Sequence, residues 1–255
     1  MINQVSTKGV SYPQNYEAEA SAQLQSGVFL LDQIKRDNCE ARNILELGCG
    51  VGTFTHKLQE NYPESSIEAI DISAECIQFA EQRYSSHYTE YKKADFNTFI
   101  PNKTIDLLTS NAALQWSTDI FKVLKNVTPY MAKSARIHCA VFGPKTYYEL
   151  GAALSEIVGT QVMIPAMTFS GPTEIESKMK GLISDLKLSQ KTIDIDYPSI
   201  NEALRAIQNM GVRGEGATPK INWTRSTLTK LNEYFLKEYG VVRLSYDTVL
   251  ISAKV

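Results

Sequence analysis

The chain has 255 residues, of which 43% are hydrophobic and 21% charged, a balance typical of a globular protein with a buried core. This length suits one large domain, or one domain with a sizeable insertion. The formal net charge of -2 at pH 7 provides no general basic field, so no nucleic-acid partner is expected.

Targeting, membrane and metal signals are missing from the sequence. The first residues, Met1 to Gln4, show no basic stretch followed by an apolar core, so no signal peptide is predicted. No apolar run approaches the roughly 20 residues that span a bilayer, so no membrane association is expected. The four cysteines form no C-x-x-C pair and no histidine lies at ligand spacing from a cysteine, which argues against a metal site. We expect reduced thiols and a cytoplasmic protein.

Strand-like apolar runs alternate with helical patterns up to about residue 142. The predicted helices of this part are Tyr16–Lys35, Thr53–Glu60, Ala74–Tyr84 and Asp119–Thr128. The predicted strands are Asn43–Leu47, Ser66–Ile70, Tyr88–Lys92, Ile105–Ser110 and Ala135–Phe142. This alternation predicts an α/β fold, with a mostly parallel twisted sheet and helices on both faces. A ligand crevice is expected at the carboxyl ends of the strands.

The second half of the chain is less regular. The predicted helices there are Lys145–Val158, Pro172–Leu186, Ile200–Met210 and Arg225–Tyr239, with strands at Gln190–Tyr197 and Leu244–Ala253. No repeat and no Pro/Gly/Ser-rich linker divides the chain, so we expect one domain over residues 1–255. Its parts are a helical segment (1–40), a core (41–142), a cap of helices with one strand (143–243) and a final strand (244–255).

A glycine-rich loop at residues 48–52 joins the first core strand to the next helix, and Glu46 stands two residues ahead of it. Glycine allows positive φ and close approach of a ligand, and the helix that follows points free N–H groups at the loop. The loop alone is also compatible with a tight turn that binds nothing. Its G-x-G-x-G spacing differs from the G-x-G-x-x-G of dinucleotide-binding folds.

The loop resembles motif I of Rossmann-like, class I methyltransferases. In that family the loop wraps the methionine and ribose parts of S-adenosylmethionine (SAM). The resemblance implies SAM as cofactor, S-adenosylhomocysteine (SAH) as product and no metal. The residues that it assigns to the cofactor in this loop are Glu46, Gly48, Cys49, Gly50 and Gly52.

Two acidic residues at the ends of the next strands favour a cofactor site over an empty turn. Asp71 ends the second strand, where a carboxylate can accept hydrogen bonds from both ribose hydroxyls. Asp95 follows the third strand, and the family resemblance implies that it accepts from the adenine amino group. Ile72 and Phe96 would then flank the adenine ring. Either acid alone would more often form a turn or a helix cap.

The segment Ser110–Trp116 resembles the S-N-x-x-L-Q-W signature of the malonyl-acyl carrier protein O-methyltransferases of biotin synthesis. Trans-aconitate methyltransferases share much of this signature. Further matches to the biotin family lie at Tyr16-x3-Ala20-x2-Gln23, Thr146–Leu150, Ala203–Arg205 before Gly211, Trp223–Ser226 and Leu244–Tyr246. Two features depart from the family: residues 129–134 replace its usual P-G-G turn, and residues 9–15 lack the arginine often found ahead of the first-helix tyrosine.

This resemblance implies methyl esterification of the free carboxylate of a malonyl thioester, with malonyl-acyl carrier protein as substrate partner. The residues expected around the reacting atoms are Tyr16, Gln23, Asn111, Gln115 and Trp116, with Asn111 also touching the cofactor. Those expected to hold the acceptor are Tyr147, Tyr148, Arg205, Arg213 and Arg225. A carboxylate with a pKa near ~4 is already ionised at neutral pH and needs no general base, which fits the lack of histidine in the motifs.

An acidic carrier protein needs a locally basic docking surface. Lys180 and Lys187 have the spacing of one helix face and are candidates, although a solvated helix face has the same pattern. Two other functions stay open. One is methylation of a free small diacid such as trans-aconitate, and the other is a SAM-binding assembly factor that methylates no small acid. With no evident dimer segment, a monomer is expected.

Overall fold

The structure is a computed structural model that describes residues 20–117, 119–209 and 217–255. A seven-stranded sheet runs through it in the order β3-β2-β1-β4-β5-β7-β6. The strands are β1 (Asn43–Leu47), β2 (Ser66–Asp71), β3 (Thr89–Lys93), β4 (Ile105–Asn111), β5 (Met131–Phe142), β6 (Ser184–Tyr197) and β7 (Val242–Lys254). Strands β1 to β5 are parallel, and β7 pairs antiparallel with both β5 and β6. The predicted α/β fold with a mostly parallel sheet is confirmed.

Helices cover both faces of this sheet. They are α1 (Ser21–Arg36), α2 (Thr53–Asn61), α3 (Ala74–Tyr84), α4 (Ile120–Val127), α5 (Tyr148–Val158), α6 (Pro172–Met179), α7 (Ile200–Asn209) and α8 (Arg225–Tyr239). Alternate strand residues point to opposite sides: Ile44 packs with α1, α2 and α3, whereas Leu45 packs with α4 and α6. Burial on both faces explains why the core strands are almost continuous apolar runs.

A two-stranded ribbon carries the cap beyond the carboxyl end of the core. Pairing of β5 with β7 ends at Phe142 and Thr248, but pairing of β6 with β7 continues to Tyr197 and Val242. Helices α5, α7 and α8 pack against this ribbon around a separate buried cluster. The rings of Phe142 and Tyr147 lie 5.2 and 4.9 Å from that of Tyr246 at its centre. The cap therefore stands next to the crevice predicted at the carboxyl ends of the strands.

The predicted helix Pro172–Leu186 is wrong in its second half. Helix α6 ends at Met179, and Gly181 takes a φ of +88°, a conformation that stops a helix. The chain then enters β6, which begins at Ser184 instead of the predicted Gln190. Lys180 and Lys187 consequently do not share a helix face, so the predicted basic docking surface on one helix face is wrong. Strand β5 also begins earlier than predicted, at Met131.

Three further observations concern the described ranges. All four cysteines are free thiols. Across residues 20–117, 119–209 and 217–255, no helix combines the length and the apolar character needed to cross a membrane. The same ranges contain no group of three His, Cys, Asp or Glu side chains arranged to hold a metal ion.

Candidate active site at the carboxyl edge of the sheet

The glycine loop is held tightly against the end of β2. The backbone N–H groups of Gly48 and Cys49 both donate to Ile70 O, at 2.8 and 3.0 Å. Gly48 and Gly52 have φ values of +75° and +83°, in the left-handed region that favours glycine. A Cβ at Gly48 would lie 2.3 Å from Ala113 Cβ, so only glycine lets the loop approach β4 this closely.

Asp71 ties the loop to the start of the next helix. Its Oδ2 accepts from Gly50 N–H and its Oδ1 from Ser73 N–H, both at 2.9 Å. Burial raises the pKa of Asp71, while these backbone N–H groups oppose the shift. Each carboxylate oxygen has a second lone pair, so the side chain can still accept hydrogen bonds from a ligand.

Asp95, Phe96 and Ile72 lie after the neighbouring strands β3 and β2. Asp95 Oδ1 accepts from the backbone N–H and the side-chain amide of Asn97, at 2.9 and 2.7 Å, which leaves Oδ2 without a hydrogen bond to any described residue. Phe96 is half-buried, and Ile72 is an exposed apolar side chain. The three predicted adenine-contact residues thus combine a free carboxylate oxygen with apolar surface.

Glu46 lies almost completely buried beneath the loop, with 1% of its surface exposed. Its Oε2 atom has no hydrogen-bond partner within the described ranges. Burial raises the pKa of Glu46 to about 7; the nearby Thr55 hydroxyl opposes this shift and the Asp71 carboxylate adds to it. A buried acidic oxygen without a donor is costly, which indicates a place where a donor from a ligand is missing.

The segment after β4 contributes two more acceptors of the same kind. Asn111 Nδ2 donates to the backbone oxygen of Gln23 at 2.9 Å, and Gln115 Nε2 donates to Ala112 O at 2.8 Å. In both amides the oxygen, Asn111 Oδ1 or Gln115 Oε1, is buried and has no partner among the described residues. We call Glu46 Oε2, Asn111 Oδ1 and Gln115 Oε1 the acceptor set.

Hydroxyl groups without partners lie on the same face of the sheet. Thr109 is the cross-strand neighbour of Glu46, and its side chain shares the face of Asn111. The buried hydroxyls of Thr109 and of Ser26 on α1 make no hydrogen bond within the described part of the chain. Sequence reasoning missed both, because an isolated Ser or Thr carries no signal until the fold removes its partners.

Trp116, which follows β4, packs against a second aromatic ring. The half-buried Trp116 ends a short 3-10 turn and contacts the edge of Phe169, with ring centroids 5.2 Å apart. The segment with Phe169 continues to Gly171, which packs against Pro144 in the turn after β5. Phe169 was not predicted from the sequence, since nothing local marks a loop aromatic as a partner of Trp116.

The predicted acceptor-binding residues that the structure describes lie on three helices of the cap. Tyr147 is buried in the cap cluster, where its N–H donates to Ser245 O at 2.8 Å, whereas Tyr148 is exposed at the start of α5. Arg205 on α7 and Arg225 at the start of α8 are both exposed. Tyr16 and Arg213 lie outside the described residues. The structure thus brings Asp71 and Phe96 to the glycine loop and Asn111 to the backbone of Gln23.

This fold and site belong to a known class of enzyme. The methyltransferase domain family model matches residues 39–203, so the chain belongs to that family and is a class I, SAM-dependent methyltransferase. Among solved structures, the YcgJ protein from Bacillus subtilis superposes with a TM-score of 0.61 at 13% identity, covering 88% of this chain and 97% of its own.

Curated relatives share a more particular name. A malonyl-acyl carrier protein O-methyltransferase from Acetivibrio thermocellus is 24% identical over 253 residues, covering 94% of this chain and 89% of that protein. A second enzyme of that name, from Halalkalibacterium halodurans, is 26% identical over 194 residues, covering 72% of this chain and 71% of its own. The resemblance found in the sequence motifs therefore extends to the full-length comparison.

Proposed function

We propose that this protein transfers the methyl group of SAM to the free carboxylate of a malonyl thioester carried by an acyl carrier protein. The observation that carries the choice of acceptor is the similarity over 94% of the chain to an enzyme named for that reaction. Because the identity to that enzyme is 24%, the acceptor is a proposal.

The residues present fit the chemistry of SAM. The acceptor set has three buried oxygens without donors, and the methionine end of SAM brings a positively charged ammonium with three N–H donors. Asp71 would accept from the ribose hydroxyls and Asp95 Oδ2 from the adenine amino group, with Ile72 and Phe96 against the ring. The positive-φ loop of Gly48 and Gly52 leaves no side chain between the backbone and the cofactor.

The reaction requires little acid–base catalysis by the protein. When bound, SAM supplies an electrophilic methyl group on a positively charged sulfur, which a carboxylate oxygen takes up with loss of both charges. Asn111 and Gln115 would hold the cofactor end, and Trp116 with Phe169 would keep water from the reacting atoms. Holding two reactants in line contributes to the rate, as does replacing water around charges that vanish in the transition state.

The positions of the histidines favour an acceptor that is already ionised. His56 lies on the surface of α2, stacked on Tyr84 with ring centroids 4.7 Å apart, and His87 is exposed. His138 is fully buried on β5, bonded to Asp37 and Gln33. His56 adjoins the glycine loop through its backbone, whose N–H donates to Gly52 O at 2.9 Å, but its ring lies on the surface against Tyr84. A carboxylate acceptor needs no such base.

The test incubates the purified protein with SAM and, in separate reactions, malonyl-acyl carrier protein, malonyl-coenzyme A and trans-aconitate. Mass spectrometry measures the addition of one methyl group to each acceptor. We expect methylation of the malonyl thioester, and loss of that product in Asp71→Ala and in the less disruptive Asp71→Asn. A folded Asp196→Asn variant, altered on the far ribbon, is the matched control and should retain activity.

The outcomes separate the candidate functions. Methylation of trans-aconitate alone would replace the malonyl thioester by a free diacid. SAM binding without methylation of any of the three acceptors would contradict the proposal and favour an assembly factor. Equal rates on malonyl-coenzyme A and malonyl-acyl carrier protein would remove the carrier protein from the proposed recognition.

A further inference from the structure

One hydrogen bond connects helix α1 to the candidate cofactor site. Asn111 Nδ2, at the carboxyl end of β4, donates to the backbone oxygen of Gln23 in the first turn of α1, at 2.9 Å. A carbonyl oxygen can only accept, so this contact fixes which end of the amide faces the helix. Asn111 Oδ1 consequently faces away from that carbonyl, and it belongs to the buried acceptor set.

Helix α1 is packed unusually closely at the same place. Gly27 is buried, and a Cβ there would lie 3.1 Å from both Asn111 Nδ2 and Phe54 Cδ2. A side chain at position 27 would therefore require Asn111, Phe54 or the helix to move by a few tenths of an ångström. A small displacement of Asn111 would therefore shift the backbone of α1, both through this packing contact and through the hydrogen bond.

The bonded turn lies between two parts of α1 that pack on different regions. Ala22 belongs to the buried cluster of the cap, with Ala112 and Tyr147. Leu30 and Ile34 belong to the cluster that packs on β1 and β2. The Asn111 bond is thus placed where the helix passes from the core to the cap.

We propose that Asn111 is a positioning residue through which cofactor binding fixes the first turns of α1 against the site. The ammonium of SAM or SAH donates to Asn111 Oδ1, which holds the amide with Nδ2 directed at Gln23 O. The cofactor then stabilises the packing of α1 on the sheet. Through Ala22 it also stabilises the part of the cap that packs on α1. This inference rests on the proposed cofactor site, but not on the identity of the methyl acceptor.

Hydrogen–deuterium exchange of the α1 backbone amides, measured with and without saturating SAH, tests the coupling. In the wild-type protein SAH should slow exchange at Leu24 to Leu30 by about 5-fold or more. SAH binding is checked separately by calorimetry. Binding without slower exchange in α1 would overturn this inference alone, whereas no binding of SAH would overturn the cofactor site and the inference together.

The variant Asn111→Asp separates the two ends of the side chain. A carboxylate still accepts from an ammonium, but it cannot donate to Gln23 O and places a negative charge against that oxygen. At saturating SAH the slowing of exchange in α1 should be lost. Slowing equal to that of the wild type would contradict the proposal.

Gln33→Ala is the matched control on the same helix. Gln33 Nε2 donates to Ile251 O at 3.0 Å and also contacts His138 Nδ1, away from the acceptor set. This change should speed exchange in α1 with and without SAH, while the additional slowing caused by SAH remains. Loss of that slowing in Gln33→Ala would mean that any loosening of α1 has the effect, which would overturn a specific role for Asn111.

Gly27→Ala tests the coupling without altering Asn111 chemically, and it serves if Asn111→Asp does not fold. The added methyl group would push α1 away from Asn111 and Phe54. Coupling between two sites is reciprocal, so displacement of α1 from Asn111 should weaken SAH binding by about 5- to 10-fold. Unchanged SAH affinity in a folded Gly27→Ala variant would contradict the proposal.

Discussion

The carboxyl edge of the core and the neighbouring cap differ in whether their buried polar groups have hydrogen-bond partners. In the core, Glu46, Asn111 and Gln115 each keep a buried oxygen that has no donor among the described residues. In the cap, the buried Glu149 accepts from the backbone N–H of Ser245 at 3.2 Å and from its hydroxyl, which also contacts Asp194 at 2.7 Å. The core edge is incomplete by itself, whereas this part of the cap satisfies its own polar groups.

This contrast separates residues that serve a ligand from residues that serve the fold. A buried polar group left unpaired costs about 1–3 kcal/mol, so three such oxygens among the described residues at this edge of the sheet point to donors supplied by a ligand. The cap network has no such deficit. On the same ribbon, Arg243 makes a two-pronged contact with Asp196 at 2.6 and 2.9 Å, so that arginine is engaged in holding the ribbon. The following four changes test whether the two regions differ in this way.

The largest effect is expected from Gly48→Ala in the core. The new Cβ would lie 2.3 Å from Ala113 Cβ, in a backbone conformation that already disfavours alanine. We expect a loss of about 2–4 kcal/mol of stability and no measurable SAH binding. Denaturant unfolding and calorimetric titration measure the two quantities.

Gly240→Ala is the control for that change. Gly240 has a similar φ of +73°, but nothing lies within 4 Å of an added Cβ. It should cost only about 1 kcal/mol and leave SAH binding intact. The double change Gly48→Ala with Ala113→Gly removes the clashing methyl group and should restore part of the binding. No restoration would contradict the steric explanation.

The next effect belongs to the cap. Glu149→Ala leaves the N–H of Ser245 without its buried acceptor, while the Ser245 hydroxyl keeps Asp194, and the change should cost about 1–3 kcal/mol of stability. SAH affinity should stay within about twofold of the wild type, because the cofactor site lies in the core. Unfolding in urea and SAH titration check both parts. A large loss of SAH affinity in a folded variant would erase the distinction between the regions.

Glu46→Gln should weaken SAH binding by about tenfold at pH 8, since it removes the negative charge facing the ammonium. The pKa of Glu46 is raised to about 7 in the free protein, and the cation binds the ionised carboxylate. Wild-type affinity should therefore fall as the pH drops below about 7 and level off above it. Titrations between pH 5.5 and 8 should show a flatter dependence in Glu46→Gln, and an equally steep one would place the ionising group elsewhere.

The smallest effect concerns the fold on the α1 face. Burial lowers the pKa of His138, with Asp37 opposing the shift and Arg136 adding to it. Its Nδ1 contacts Gln33 Nε2, a donor, so the neutral ring fits and a second proton does not. The unfolded chain takes up this proton first, so stability should fall as the pH drops below about 6.5. Unfolding midpoints at pH 7 and 5.5 should differ less in His138→Gln, and an equal difference would exclude His138 as the cause.

The sequence predicted the core well because its signals there are local. The strands of the core are apolar runs bounded by turns, and the glycine loop with Asp71 occupies adjacent strand ends in the structure as expected. The chain from 172 to 190 was less predictable. Helix α6 ends at Met179, just before Gly181, and β6 has polar residues exposed along an edge strand, which mimics a solvated helix face.

The residues missed in the site share one property, since each depends on distant neighbours. Thr109 and Ser26 become significant only when α1 covers the sheet and leaves their hydroxyls unpaired. Tyr147 was predicted to bind the acceptor, yet the structure places its side chain in the cap cluster with Tyr246. A role for Tyr147 in binding the acceptor remains a prediction, and the packing gives it a structural role as well.

Strand β7 occupies an inner position of the sheet although it follows the other six described strands in the chain. It pairs with β6 between Val242 and Lys254 along one edge and with β5 between Thr248 and Lys254 along the other. A nascent chain that has not yet released these residues from the ribosome exposes two unpaired strand edges at once. Such edges invite pairing with other chains, so this protein should depend on chaperones late in synthesis and tolerate C-terminal truncation poorly.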